Sequence, residues 1–136
     1  MSEPVVGSTA SARLTVSPSD LANVLNLEPG DSFPPVFATS RMVGLMEVAA
    51  ARILSPHLRE GEASVGVSVD VAHTAATPPG ITVTATAKLI GREGKLFVFE
   101  VSAEDNAGEI GRGTHERAIV STERLVAGAT RRGSGS

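Results

Sequence analysis

The sequence contains no cysteine, no tryptophan and no tyrosine, and phenylalanine occurs only four times in 136 residues. Without cysteine the chain can form no disulfide, no thiolate nucleophile and no cysteine-ligated metal site. The scarcity of aromatic rings leaves little surface on which nucleobases could stack. A formal net charge of −3 gives no electrostatic reason to expect binding to a nucleic acid or to an anionic membrane.

Long apolar runs are also missing. The most apolar stretch, residues 41–54, is shorter than the roughly 20 residues that a membrane-spanning helix needs. The first residues lack the charged and apolar regions of a signal peptide, so we expect a cytoplasmic protein. The length fits one domain with its own core. We place this domain at 13–126 and expect flexible termini over 1–12 and 127–136, which are small, polar or rich in glycine and serine.

The stretch "RMVGLMEVAAARIL" (41–54) is predicted to form a helix that is buried on most sides. Apart from Glu47, the residues from Met42 to Ala51 are apolar and fill most of the helix circumference. Ser55-Pro56 should end the helix, because the residue before a proline disfavours helical backbone angles. A buried carboxylate needs a partner. Glu47 could therefore pair with a core arginine or reach solvent, or it could line a cavity and take part in chemistry.

After this helix the apolar pattern changes to period two. The valines from Val65 to Val71 alternate, and His73 is in phase with them, so we expect this face to pack on the helix. Further strands are predicted over 81–89, 96–103 and 109–120, with turns at 77–80, 91–94 and 105–108. An N-terminal strand from Arg13 to Val16 would join this four-stranded meander. The expected architecture is α+β, with a long helix wrapped by an antiparallel sheet.

The segment before the long helix is predicted to be mostly irregular. Ser17 and Pro18 indicate the start of a short helix over 21–25, with Ser17 as its cap. The prolines and glycine of 27–35 favour a loop. Thr39 comes just before the long helix, where its side chain could cap the helix or face a site.

Glu47 and His73 are the first candidates for catalysis. A carboxylate and an imidazole in one apolar space suit acid–base chemistry, because burial and neighbouring charge can tune such groups for proton transfer. A histidine that only satisfies the core is the alternative for His73. Gly66 lies inside a predicted strand. Glycine weakens a strand, so its presence there indicates that another group must approach the backbone closely. Its amide could donate a hydrogen bond to a developing oxyanion.

Two further candidates lie in "GTHERAIV" (113–120), where His115 and Arg117 share one face of the last strand. Arg117 could hold Glu47, meet an anionic ligand, or form a plain surface salt bridge. The histidines at 57, 73 and 115 show no metal-ligand spacing, so we expect no metal site. The sequence also lacks a GxSxG elbow and a glycine-rich phosphate loop.

Three strings carry a family resemblance: "PPVFATSRMVGLMEVAAARILSPHL", "GVSVDVAHTAATPPGITVTATAKL" and "EIGRGTHERAIV". From about Pro34 to Val120 the chain resembles the fluoroacetyl-CoA-specific thioesterases of the hot dog fold. The resemblance implies a long central helix wrapped by a five-stranded antiparallel sheet, usually in a homodimer with sites at the subunit interface. It also implies hydrolysis of a short acyl-CoA thioester, with coenzyme A as part of the substrate and no separate cofactor.

The resemblance also assigns roles to individual residues. It implies a catalytic group of Thr39, Glu47 and His73, an oxyanion glycine at Gly66 and an active-site arginine at Arg117. Whether Glu47 attacks the thioester directly or through water stays open, as does prior removal of an α-proton by His73. A hot dog hydratase or dehydratase, and a non-catalytic acyl-CoA-binding module, are the alternative functions.

The chain departs from the family pattern in the substrate lid. Selective members carry two phenylalanines three residues apart, and Phe33 matches the second of these positions. Gly30 stands at the first, where a glycine removes a large apolar wall. The resemblance therefore supports thioester hydrolysis more firmly than it supports selectivity for a fluorinated acyl group.

Overall fold

A five-stranded antiparallel sheet packs around one long helix in the computed structural model, which describes residues 3–135. The strands and helices are β1 (Thr9–Thr15), α1 (Thr39–Leu54), β2 (Glu62–His73), β3 (Thr82–Glu93), β4 (Leu96–Asp105), β5 (Gly108–Ser121) and α2 (Thr122–Gly135). Short 3₁₀ turns cover Pro18–Asp20, Ala22–Leu25 and Ser55–His57. The predicted α+β architecture of one long helix and a five-stranded antiparallel sheet is confirmed.

The strand order is β1-β3-β4-β5-β2. Strands β3, β4 and β5 form a meander as predicted. The two edge strands are β2, which pairs with β5, and β1, which pairs with β3. The prediction that β2 begins the meander is therefore wrong, because residues 74–81 cross over instead of forming a hairpin. Thr77 anchors this crossover, since its buried hydroxyl donates to Asp105 Oδ2 at 2.7 Å.

Strand β3 alternates as the sequence predicts. Its inward residues Val83, Ala85, Ala87 and Leu89 are buried, and its threonines and Lys88 are turned away from the core. Helix α1 supplies the facing surface through Met42, Leu45, Met46, Ala49, Ala50, Ile53 and Leu54. It ends at Leu54, directly before the predicted stop at Ser55-Pro56. The core therefore lies between the inner face of the sheet and one side of this helix.

The other side of α1 is open in the single chain. Val48 is 42% exposed as a residue, and the side chain of Glu47 is 39% exposed. The prediction of a helix buried on most sides is wrong for one copy of the chain, because the sheet covers only one side. An apolar side without cover on a central helix is a feature that a partner can bury.

Strand β2 also departs from its predicted pattern. Its register with β5 shifts between Gly66 and Ser68, which interrupts the alternation. Val67 and Val69 are 53% and 43% exposed, so the prediction that the whole valine face packs on the helix is wrong for these two. A bulge of this kind bends and twists an edge strand.

The ends of the chain carry more regular structure than we expected. Strand β1 begins at Thr9, before the predicted domain start at Arg13, and Ala12 is buried. Helix α2 occupies most of the predicted flexible C-terminal segment, although none of its residues is buried. The short helix predicted over 21–25 is a 3₁₀ turn over Ala22–Leu25, and an earlier 3₁₀ turn, Pro18–Asp20, has Ser17 at its N-cap position as expected. Met1, Ser2 and Ser136 lie outside the described residues.

Within residues 3–135, no helix is long and apolar enough to cross a membrane.

Candidate active site

Thr39 and His73 form the first of two polar clusters. Thr39 is the first residue of α1 and its side chain does not cap the helix, so that alternative is wrong. Its Oγ1 lies 2.7 Å from Nδ1 of His73, the last residue of β2. The other ring nitrogen, Nε2, is buried and has no hydrogen-bond partner among the described residues. An imidazole held at one nitrogen keeps unused hydrogen-bonding capacity at the other.

A cavity of about 370 Å³ opens beside this cluster. Its lining includes Phe33, Phe37, Thr39, His73 and Thr74. Phe33 is 46% exposed, and its backbone N–H donates to Asn26 Oδ1 at 2.7 Å. Gly30 lies in the same loop outside the lining, and a Cβ there would meet no atom within 4 Å. The structure therefore places Phe33 at the cavity and leaves room for a larger side chain at position 30.

Glu47 and Arg117 form the second cluster. Arg117 Nη1 lies 3.0 Å from Glu47 Oε1. The guanidinium also donates to Ser64, through Nε to the hydroxyl at 3.1 Å and through Nη2 to the carbonyl at 2.9 Å. Arg117 is only 6% exposed. The surface salt bridge that we considered for Arg117 is therefore wrong, and the alternative in which it holds Glu47 is the observed arrangement.

His115 extends this cluster toward β2. Its Nε2 lies 3.1 Å from Arg117 Nη1, and its Nδ1 lies 2.8 Å from the carbonyl of Ser68. A guanidinium only donates hydrogen bonds, so Nε2 is the acceptor and Nδ1 carries the hydrogen. Burial lowers the pKa of His115, and the charge of Arg117 adds to this effect, although the bond to Ser68 opposes it. His115 is thus a neutral link between the β2 bulge and the arginine that holds Glu47.

Gly66 lies against the Glu47 carboxylate. It is the register partner of Arg117 and directly precedes the bulge. A Cβ at this position would overlap Glu47 Oε1 and lie 3.3 Å from His115 Cε1. A glycine inside a strand predicts that another group approaches the backbone closely. The structure shows such an approach at Gly66, and the approaching group is the Glu47 carboxylate.

The two clusters are separate within one chain. Thr39 and Glu47 lie eight residues apart on α1, which is about 12 Å along the helix axis. The prediction that Glu47 and His73 share one space is therefore not met by the contacts of a single copy. The sequence indicates no role for His115, and the strand face that it shares with Arg117 is the signal that could have identified it.

No group of three or more histidine, aspartate or glutamate side chains suited to a metal ion occurs in the part of the chain that the structure describes.

Comparisons with known proteins agree on one family. A family model described as fluoroacetyl-CoA-specific thioesterase matches residues 16–123. The fluoroacetyl-CoA thioesterase of Streptantibioticus cattleyicolor is 55% identical over 95 residues, which cover 70% of this chain and 68% of that protein.

Solved structures give the same result for the fold. The fluoroacetyl-CoA thioesterase FlK is 44% identical, with a TM-score of 0.89 over 96% of this chain and 98% of that one. A mutant of FlK in complex with fluoroacetate and CoA is 44% identical, with a TM-score of 0.83 over 89% and 98% of the two chains. A hot-dog-like protein from Thermanaerovibrio acidaminovorans is 31% identical, with a TM-score of 0.79 over 93% and 91%. The hot dog fold expected from the sequence is confirmed.

Proposed function

The chain belongs to the fluoroacetyl-CoA-specific thioesterase family and is a thioester hydrolase, and we propose that its substrates are short acyl-CoA thioesters, fluoroacetyl-CoA among them. The products are the free acid and coenzyme A. The observation that carries this proposal is the carboxylate of Glu47, which a buried arginine holds against Gly66 on an open side of α1. Coenzyme A enters as part of the substrate, and we predict no separate cofactor and a cytoplasmic location.

Glu47 is the proposed base or nucleophile. Arg117 holds one carboxylate oxygen, which orients the other for a reacting group. In one route the carboxylate takes a proton from water, whose oxygen then forms the new bond to the thioester carbon. In the other route the carboxylate oxygen forms that bond itself, and water later cleaves the resulting anhydride. Both routes break the carbon–sulfur bond and release the thiolate of coenzyme A.

His73 is the proposed proton carrier. Its hydrogen bond with Thr39 fixes the ring orientation and leaves Nε2 for the substrate. A proton passed from this ring to the departing thiolate would complete the cleavage. An alternative use of the same ring is removal of an α-proton, which fluorine makes more acidic, before the thioester breaks.

Gly66 is the proposed source of the oxyanion donor. Carbonyl attack moves negative charge onto oxygen, and a backbone N–H fixed in advance stabilises it. The register shift beside Gly66 interrupts the ladder between β2 and β5, and such a bulge leaves backbone groups unpaired. The Gly66 backbone lies next to the Glu47 carboxylate, where the reacting carbonyl would sit.

We also propose that the protein is a homodimer whose site draws on both copies. Three features support a pairing through the β2 edge and the open side of α1. They are the exposed Val67 and Val69, the exposed Val48, and the separation of the two clusters along α1 in one chain. Pairing about a two-fold axis would cover the strand edge and the apolar helix side together. It would also bring Glu47 of one copy toward the partner's His73.

Light scattering at micromolar concentration is expected to give twice the monomer mass. Val69→Lys should shift the protein toward monomer and reduce turnover with it, because it adds a charge at the paired edge. Ile90→Lys is the matched control, since Ile90 on β3 is equally exposed at 43%, and it should remain dimeric and active. A native monomer with full turnover would contradict the shared site.

Release of free thiol from a panel of acyl-CoA thioesters tests the proposed activity. The expected result is thiol release from fluoroacetyl-CoA and from other short acyl groups. A hydratase or dehydratase would alter the acyl group without releasing thiol, and a binding module would bind the thioesters and convert none. Either result would overturn the proposed hydrolysis.

Position 30 is expected to control selectivity for the acyl group. A lid discriminates by excluding water and by apolar contacts made in the transition state, and one such contact is worth roughly 10–200-fold in specificity. Gly30→Phe should therefore raise the ratio of kcat/KM for fluoroacetyl-CoA over acetyl-CoA. Ser32→Phe adds the same ring in the same loop at a position that matches neither lid phenylalanine of the family, and it should leave the ratio unchanged. A native ratio that is already extreme and insensitive to Gly30→Phe would assign selectivity to the surroundings of Glu47 and His73.

A further inference from the structure

A second cavity, of about 440 Å³, lies where the start of β2, the β3–β4 turn and the N-terminal segment meet. We call it the basic cavity, because Arg59, Arg92 and Lys95 line it together with His57. Two carboxylates, Glu3 and Glu62, also line it. Three permanent cations against two carboxylates leave a positive balance, although the whole chain carries −3. Such a local reversal of charge favours an anionic ligand.

The Arg92 guanidinium is oriented by an aromatic ring and paired with an exposed carboxylate. It lies 4.3 Å from the centroid of the Phe97 ring, which fixes its plane. Its Nη1 lies 3.0 Å from Glu3 Oε1, and both side chains are substantially exposed, at 46% and 81%. An exposed ion pair of this kind contributes little stability. A ligand with more negative charge can therefore replace the Glu3 carboxylate at Arg92.

The second carboxylate is already engaged. Glu62 Oε1 accepts a hydrogen bond of 2.7 Å from the backbone N–H of Arg59. This bond fixes the turn that leads into β2 and orients the Glu62 oxygen toward the backbone. Loss of Glu3 from the cavity would raise the cationic excess further, since Glu62 alone would then oppose the three cations.

The distance from the basic cavity to the reacting groups is short enough for one ligand to reach both. Phe97 is the register partner of Arg117 on the neighbouring strand, and Ile119, two residues beyond Arg117, also lines the cavity. Along β2, Glu62 and Gly66 are four residues apart, which is about 13 Å in a strand. The extended pantetheine arm of coenzyme A covers a comparable length. One molecule can therefore place its thioester at Gly66 and its phosphates among Arg59, Arg92 and Lys95.

We propose that the basic cavity binds the phosphate groups of the coenzyme A moiety, which rests on the hydrolase function proposed above. Arg92 can take phosphate oxygens through its planar fork, and Lys95 supplies a mobile point charge. Glu3 acts as an internal competitor that leaves Arg92 when the substrate binds. The contacts at this cavity are exposed, so salt weakens them.

The test compares two substrates that carry the same acyl group, the acyl-CoA and the acyl-N-acetylcysteamine thioester, which lacks the phosphates. In the double variant Arg92→Gln, Lys95→Gln, kcat/KM for the acyl-CoA should fall about tenfold or more, through KM. The value for the N-acetylcysteamine thioester should not change. Glu3→Gln should act in the opposite direction and lower KM for the acyl-CoA only. Arg112→Gln is the matched control, because Arg112 pairs with Glu109 on another surface.

Equal losses on both substrates would overturn the proposal, because they would mean that the cavity residues act through the fold or the chemistry. An unchanged KM for the acyl-CoA in the double variant would also overturn it, because the phosphates would then bind elsewhere. If the native protein hydrolyses neither substrate, the proposed function fails separately. Calorimetric titration with adenosine 3′,5′-bisphosphate then decides whether the basic cavity binds these phosphate groups. Binding is expected in the native protein and should be lost in the double variant.

Discussion

Glu47→Gln is expected to lower turnover of acyl-CoA thioesters by roughly 10²-fold or more. Glutamine keeps the shape of the side chain but can neither accept a proton from water nor form the anhydride intermediate. Folding should persist, because Arg117 keeps its bonds to Ser64 and His115 and the Glu47 side chain is 39% exposed. The measurements are kcat from thiol release and the midpoint of thermal unfolding.

Glu116→Gln is the control for this substitution. Glu116 lies beside Arg117 on β5 but faces the opposite side of the sheet, so its loss should leave kcat within a few-fold. If Glu47→Gln behaves like Glu116→Gln, the carboxylate at 47 has a structural role and the proposed mechanism is wrong. A loss of folding in Glu47→Gln alone would show instead that Arg117 needs this charge to stay buried.

Gly66→Ala should also reduce kcat/KM by roughly 10²-fold. Its new Cβ would overlap Glu47 Oε1, so the carboxylate must leave its place beside Arg117. A displacement of about 1 Å in a reacting group can cost a factor of this size. The measurement is kcat/KM for one acyl-CoA, with thermal unfolding followed in parallel.

Gly91→Ala provides a closely matched control for this second substitution. Gly91 also lies at a register shift, between β3 and β4, but a Cβ there would meet no atom within 4 Å. Both variants add one methyl group to a strand glycine, and only one of them reaches the carboxylate. Equal activity of the two variants would show that Glu47 can move without consequence and does not occupy the reacting position.

Sequence patterns predicted where the long helix and the strands lie along the chain better than they predicted which strands are neighbours in the sheet. The alternation in β3 and the apolar run of α1 directly reflect burial, so both elements were located correctly. The order of strands was wrong at β2, because consecutive antiparallel strands usually pair and "TPPG" (77–80) is typical of a hairpin turn. Only the structure shows that the Thr77 side chain fixes the crossover to the end of β4.

The candidate site was predicted by residue type and not by arrangement. Arg117 was named as a possible partner of Glu47, and the structure shows that contact. The sequence could not reveal that Thr39 and His73 lie in a different cluster, since periodicity places residues on a face but gives no position along it. His115 was missed as a link, because a neutral buried histidine has no distinctive spacing.

The separation of Thr39 and Glu47 along α1 has a genetic consequence if each site draws on two copies of the chain. A Glu47→Gln dimer and a His73→Ala dimer would each lack one essential group at both sites. In a mixed dimer, one site contains both substituted residues. The other site contains the native Glu47 of one chain and the native His73 of the other. Two inactive alleles expressed together would therefore complement each other and restore part of the hydrolysis that neither supports alone.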